Sequence, residues 1–190
     1  VRSSGLAGSG STGLFATSSA TGTTVNITAL NPATNYTIYV RSSCAGGDLG
    51  AWTTGVTFRT KVANDTCAGA IAVTCGSTVT GSIADATNEN MAVCGISGVT
   101  VQNTPGVWYK YVSNGTDVTF STCSEVSGDT RLAVYSGACG SMTCVGGNDD
   151  NDACDVQDLS SEVVVSNTTP GATYYILVYA YTSTTLSFEL

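Results

Sequence analysis

The residues best suited to chemistry lie in one loop. Gly146-Gly147-Asn148-Asp149-Asp150-Asn151-Asp152-Ala153-Cys154-Asp155 is followed by Asp158, and five of the chain's ten Asp residues fall between 149 and 158. Like charges packed this closely repel unless water solvates them or a cation sits among them. Calcium takes six to eight oxygens from carboxylates, amides and backbone carbonyls, and this loop offers all three. It is not an EF-hand, because the Asp spacing is wrong and no Glu stands at the required offset. The plain alternative is a solvated acidic loop.

Other chemistry is scarce. The 190 residues contain no His, which removes the usual general base, the usual partner of a Ser or Cys nucleophile and the commonest zinc ligand. Acid pairs drawn from Asp129, Asp149 and Glu162 have no spacing that favours glycoside hydrolysis over a metal site. Asp129-Thr130-Arg131 lacks the Gly of an aspartic-protease motif and has no second copy. The chain is therefore expected to be non-catalytic.

Eight Cys in a Thr-rich, Lys-poor chain read as disulfides made in an oxidising compartment. C-x-x-C is missing, which argues against zinc knuckles. Cys139 and Cys144 enclose Gly140-Ser141-Met142-Thr143, a loop that can hold a hairpin disulfide. Cys67 and Cys75 flank an expected strand, and Cys94, Cys123 and Cys154 fall in loops or at strand ends. Residues 64–190 thus hold seven cysteines, which leaves one over that Cys44 or a partner chain could take. The connectivity stays open.

The net charge is −8, and the six basic residues, Arg2, Arg41, Arg59, Lys61, Lys110 and Arg131, form no cluster. Nucleic-acid binding is excluded on that ground, since phosphates need neutralising. The longest strongly apolar stretch, Tyr174 to Tyr181, is far short of a membrane span. An extracellular or cell-surface location is expected, without membrane insertion. The chain starts inside what reads as a strand, so it is expected to be a piece of a longer exported precursor.

The elements that must position these residues are strands. Runs that favour helices are absent, Thr suits strands, and Gly, Asn and Ser suit turns. In residues 1–60, period-two alternation marks strands at 24–30 and 36–41, with shorter ones at 1–4, 14–17 and around Val56 and Phe58. Residues 61–63 form a linker. In residues 64–190, strands are expected near 70–75, 78–83, 106–112, 116–122, 131–136, 142–146, 162–166, 173–181 and 184–190. Their regular spacing predicts an antiparallel sandwich. Asn114-Gly115 predicts a hairpin, and Pro170-Gly171 another turn. Pro32 to Ile38 parallels Pro170 to Ile176, with one residue inserted. The aromatic runs Trp108, Tyr109, Tyr111 and Tyr175, Tyr179, Tyr181 are expected to be core rather than sugar-stacking platforms.

Leu30-Asn31-Pro32-Ala33-Thr34-Asn35-Tyr36, the alternating strand after it, Trp52 and a closing V-x-F strand resemble the second half of a fibronectin type III domain. The resemblance covers 1–60 and implies that Tyr36 ties its hydroxyl back to the corner backbone. It also implies that the first two strands are missing, and with them the partner of Cys44. Residues 64–190 resemble the pre-peptidase C-terminal type of β-sandwich, jelly-roll-like and cysteine-rich, of bacterial secreted proteins. The carrying residues are Asn64-Asp65-Thr66-Cys67 with Ala70-Ile71, Gly106 to Tyr111, Asp129 to Tyr135, Asn148-Asp149-Asp150 and Gly171 to Tyr175. The fold class is thus all-β, two antiparallel sandwiches in tandem, the first incomplete.

This second resemblance implies calcium held by Asn64, Asp65, Asp129, Asn148, Asp149 and Asp150. It implies a non-catalytic adhesion or accessory module of a larger bacterial surface protein, binding an extracellular polymer or a cell surface. A filament subunit assembled from neighbouring copies by strand complementation is the alternative, and a hydrolase fragment the weakest reading. Asp65-Thr66 before Cys67 also resembles a bacterial O-glycosylation site with Thr66 as acceptor. The N-x-S/T sequons at Asn26, Asn35, Asn64, Asn114 and Asn167 read as chance.

Overall fold

β-Branched and aromatic residues dominate the ordered segments, and they build strands almost throughout. The computed structural model describes residues 1–8, 24–124, 128–152, 154 and 159–190. It is essentially all-β, with a single 3-10 turn at Cys67–Gly69 among the described residues. The chain divides into two compact units, Val1–Lys61 and Val62–Leu190.

The first unit is built on one antiparallel pair, β1 (Asn35–Ile38) with β2 (Val56–Arg59), in which Tyr36 stands opposite Phe58. Arg2 adds an isolated bridge to Thr37. The Tyr36 hydroxyl accepts the Asn31 N–H at 3.0 Å, the tie expected at this corner. Tyr36 is the one buried apolar residue among the described residues of this unit, while Val40, Leu49, Trp52 and Val56 are exposed. The alternating run 24–30 forms no strand. Its pattern suits a pleat, but none of the described residues pairs with it, and an unpaired strand is not stable alone. The expected strand at 14–17 lies outside the described residues.

The second unit centres on a five-stranded sheet with the order β3-β5-β10-β7-β8. Its strands are β3 (Ile71–Ala72), β5 (Gly106–Val112), β7 (Thr130–Ala138), β8 (Ser141–Asn148) and β10 (Thr173–Ala180). Two pairs complete the unit: β4 (Thr80–Ser82) with β11 (Ser187–Glu189), and β6 (Val118–Ser121) with β9 (Glu162–Val165). Pairing is antiparallel except for β3 with β5, which is parallel.

One face of the central sheet, with Val107, Tyr109, Leu132, Val134, Ile176 and Val178, packs on Phe188, Val118, Phe120 and Val163 of the two pairs and on Ile83 just after β4. That is sandwich packing. Among the described residues no sheet covers the opposite face, with Trp108, Ala133, Tyr135, Leu177 and Tyr179. Cys67, Ala70, Val93 and Ile96, from irregular segments, cover it instead. Leaving those large side chains in water would forfeit roughly 2 kcal/mol each. Burial on both faces explains why β5, β7 and β10 read as continuous apolar runs rather than alternating ones.

Disulfides hold that irregular cover in place. Cys67 pairs with Cys139, Cys94 with Cys144, and Cys123 with Cys154. The first two bonds run from the covering segments to the β7–β8 hairpin. The cover also approaches closely at Gly147, where a Cβ would come within 2.1 Å of the Cys94 carbonyl oxygen. The Cys139–Cys144 hairpin bond is not made, because each of these residues reaches across to the cover. Cys75 joins no disulfide either; it and Cys44 are exposed free thiols.

The Asn114-Gly115 turn is not a hairpin turn. It carries the chain from β5 in the central sheet to β6 in the opposite layer. Only Gly115 takes a positive φ, +93°, while Asn114 Oδ1 accepts the Thr116 N–H and hydroxyl. The expected hairpin is therefore not formed: the chain turns at Gly115, but which strands pair is decided non-locally. The Pro170-Gly171 turn forms as expected, with Gly171 N–H on the Ser113 carbonyl. Beyond it the Tyr174 hydroxyl accepts the Thr169 N–H at 3.2 Å. Tyr36 and Tyr174 thus each bind the backbone five residues upstream, and the two segments correspond with no insertion.

Candidate cation site at the rim of the central sheet

β7 begins where β8 ends, because the two run antiparallel with Leu132 opposite Asn148. Asp129, just before β7, therefore meets Asp149 and Asp150, just after β8. Carboxylate oxygens of the three lie within 4.8 Å of one another. The loop beyond is tied down by the Cys123–Cys154 bond and by Cys154 N–H on the Asn151 carbonyl.

Beneath the carboxylates the backbone is oxygen-rich. The Ser161 hydroxyl faces the carbonyls of Thr130 at 2.6 Å, Asn148 at 3.1 Å, and Asp149. A hydroxyl has one proton to give, so it satisfies one of these acceptors at a time. Thr122 and Thr130 share a hydroxyl–hydroxyl bond at 2.6 Å in the same buried layer.

One positive group enters the cluster. Arg131, only 4% exposed, donates from Nη2 to Asp149 Oδ2 at 2.8 Å. Its guanidinium lies 4.4 Å from the centre of the Tyr181 ring. Among the described residues, Asp149 Oδ1, Arg131 Nε and the Tyr179 hydroxyl are buried with no hydrogen-bond partner. Burial pushes the Asp129 carboxyl above its ordinary pKa, helped by Asp150 and Asp149 and opposed by Arg131. Asp150 is pushed up by burial and then by Asp149, again against Arg131. Burial likewise pushes the Tyr179 hydroxyl up to about 12.

These residues fit a hard cation. The donors are all oxygens, as calcium requires. Three carboxylates meet a single guanidinium.

The six expected ligands do not all converge. Asp129, Asp149 and Asp150 come together. Asn148 adjoins them, but its amide is committed: Oδ1 accepts the Glu162 N–H at 2.9 Å and Nδ2 donates to the Asp150 carbonyl at 3.1 Å. Asn64 and Asp65 belong to the far edge of the sheet. Asn64 exchanges bonds with Trp108, and the Asp65 carboxylate accepts the Thr87 N–H and hydroxyl. Thr87 bridges Gly106, which pairs with Tyr179, which pairs with Arg131. Three strand spacings, ~14 Å, therefore separate Asp65 from the cluster. The carboxylate of Asp65 anchors a loop. Asp155 and Asp158 lie outside the described residues.

Sequence reasoning missed Arg131, although the cross-strand register that sets it against Asp149 follows from the hairpin between β7 and β8. Thr66 is exposed, whereas Asn64 is buried and unavailable as a sequon. Trp108, Tyr109, Tyr111 and Tyr179 are buried core. Tyr181 is exposed, with Arg131 on its ring.

Compared with family models, curated proteins and solved structures, the chain has no match in any of the three. The three disulfides indicate an oxidising, non-cytoplasmic environment. Among the described residues no helix is long and apolar enough to cross a membrane.

Proposed function

We propose that this chain is a non-catalytic accessory or adhesion module of a secreted bacterial surface protein, with a calcium ion bracing the rim of its second unit. The convergence of Asp129, Asp149 and Asp150 at one end of a disulfide-stapled sheet carries the reading. Three carboxylates against one guanidinium leave an excess of two negative charges, which a divalent cation would neutralise. Bound there, calcium would link the start of β7 to the loop after β8 and set the shape of that loop. A rigid scaffold presenting a shaped rim suits binding to an extracellular polymer or cell surface. The chain's own kinship, fibronectin type III-like followed by pre-peptidase C-terminal-like, remains part of this proposal and rests on the motifs quoted above.

The test is melting of chelator-treated protein with and without added calcium. Calcium at a hundredfold excess over Kd should stabilise by about 2.7 kcal/mol, and Asp150→Asn should remove most of that gain. An unchanged melting temperature, with no metal retained by protein purified without chelator, would end the calcium reading.

A filament built by strand complementation is favoured by one observation. The described part of the first unit holds only a two-stranded sheet and leaves Val40, Leu49, Trp52 and Val56 exposed. A strand donated by a second copy would cover them. Sedimentation that shows only monomer at high concentration would count against it.

A further inference from the structure

Asn114-Gly115 is the one place in this chain where Asn precedes Gly, and its turn is pinned on several sides. The Ser113 N–H donates to the Ala172 carbonyl at 2.9 Å, and the Ser113 carbonyl accepts the Gly171 N–H at 2.8 Å. Gly115 lies so close to Pro170 that a Cβ would come within 2.6 Å of its Cγ. The Thr168 hydroxyl donates to the Thr116 carbonyl, so the hydroxyl bond it shares with Ser113 takes its proton from Ser113. A Ser113 lone pair then accepts the Gly115 N–H at 2.8 Å. Asn114 itself is exposed, and its Oδ1 accepts two donors from Thr116, the N–H at 3.0 Å and the hydroxyl at 2.7 Å. Two donors at this range are what stabilises the oxyanion of a carbonyl under attack.

We propose that this turn is a self-modification site, at which the Gly115 nitrogen attacks the side-chain carbonyl of Asn114. The bond from Gly115 N to Asn114 Cγ forms as the amide gives up its proton, and the charge that develops on Oδ1 meets the two Thr116 donors. The Cγ–Nδ2 bond then breaks, and Nδ2 takes up a proton in place of the one Gly115 lost and leaves as ammonia. A five-membered cyclic imide remains. Water, the co-reactant, adds to one of its two carbonyls. At the side-chain carbon it gives aspartate; at the main-chain carbon it gives isoaspartate, with one more carbon in the backbone. Glycine matters because no Cβ shields its nitrogen. Other amides are placed differently: Asn148 is tied at both ends by Glu162 and Asp150, and Asn64 is buried. Either product puts a new carboxylate close to Asp117, in the segment that joins β5 to β6. The calcium reading plays no part in this chemistry.

Peptide mapping of the folded full chain, incubated under native conditions, tests this in wild type and Thr116→Val. Support is conversion of Asn114 ahead of every other Asn, with hydroxylamine cleaving the imide between residues 114 and 115. Folded Thr116→Val should convert about fivefold more slowly, the rate equivalent of one ordinary hydrogen bond. That difference should vanish in urea with a reductant, where the turn is gone, and its persistence there overturns the proposal. Asn114 left intact in folded wild type, while the unfolded chain converts, overturns it too. So does a folded Thr116→Val that keeps the wild-type rate, which would leave only the chemistry of any Asn-Gly pair. Should Thr116→Val fail to fold, wild type decides alone: folded conversion at least as fast as unfolded supports the proposal, and slower conversion overturns it.

Discussion

Replacing Cys67 and Cys139 together by Ala removes the bond that pins the cover of the second apolar face to the β7–β8 hairpin. The two cysteines are 72 residues apart. Loop-closure entropy for a loop of that length is worth about 4.4 kcal/mol at 25 °C. A hairpin bond between Cys139 and Cys144, five positions apart, would be worth only about 2 kcal/mol by the same relation. The two pairings therefore differ in energy as well as in geometry. Urea unfolding of the double variant, followed by the fluorescence of buried Trp108, should show a loss of about 4 kcal/mol, a large share of the ~5–15 kcal/mol that holds a typical domain together. Thiol mapping supplies the second reading. Cys139→Ala alone should release a new thiol at Cys67, over the background of exposed Cys44 and Cys75. A new thiol at Cys144 instead, or a loss in the double variant below about 2 kcal/mol, would refute the idea that the cover is held covalently.

Two further outcomes follow from hydrogen bonding and charge. Tyr174→Phe leaves the Thr169 N–H without its partner and should cost about 1 kcal/mol in urea unfolding, with Tyr36→Phe acting alike on the first unit through Asn31. The raised carboxyl pKa values of Asp129 and Asp150 have a definite sign. A folded state that holds protons more tightly than the unfolded chain loses stability as pH rises from 3.8 toward the raised values. Metal-free wild type should therefore lose melting temperature relative to Asp129→Asn/Asp150→Asn as pH rises above the ordinary carboxylate range. A difference that stays constant as pH rises from 3.8 would show that burial and crowding do not act on these groups as described.

What the chain determined by itself was local. Turn residues and the regular spacing of β-branched and aromatic runs located the strands of the second unit, because both signals are local. The Pro-to-Tyr corners were legible for the same reason, since each tyrosine bonds a backbone amide only five residues away. The acidic loop was visible as a density of charge. The tertiary structure decided everything that depends on pairing between distant segments. It sent β5 and β6 into different layers, although Asn114-Gly115 reads as a hairpin. It drew Cys139 to Cys67 and Cys144 to Cys94, because the second apolar face needed a cover that has no strand to pair. It kept Asp129, Asp149 and Asp150 together at one sheet end while leaving Asn64 and Asp65 across the sheet. Above all it placed Arg131 against Asp149, a neighbour relation set by hairpin register rather than by any motif, and on that register the electrostatics of the rim depend.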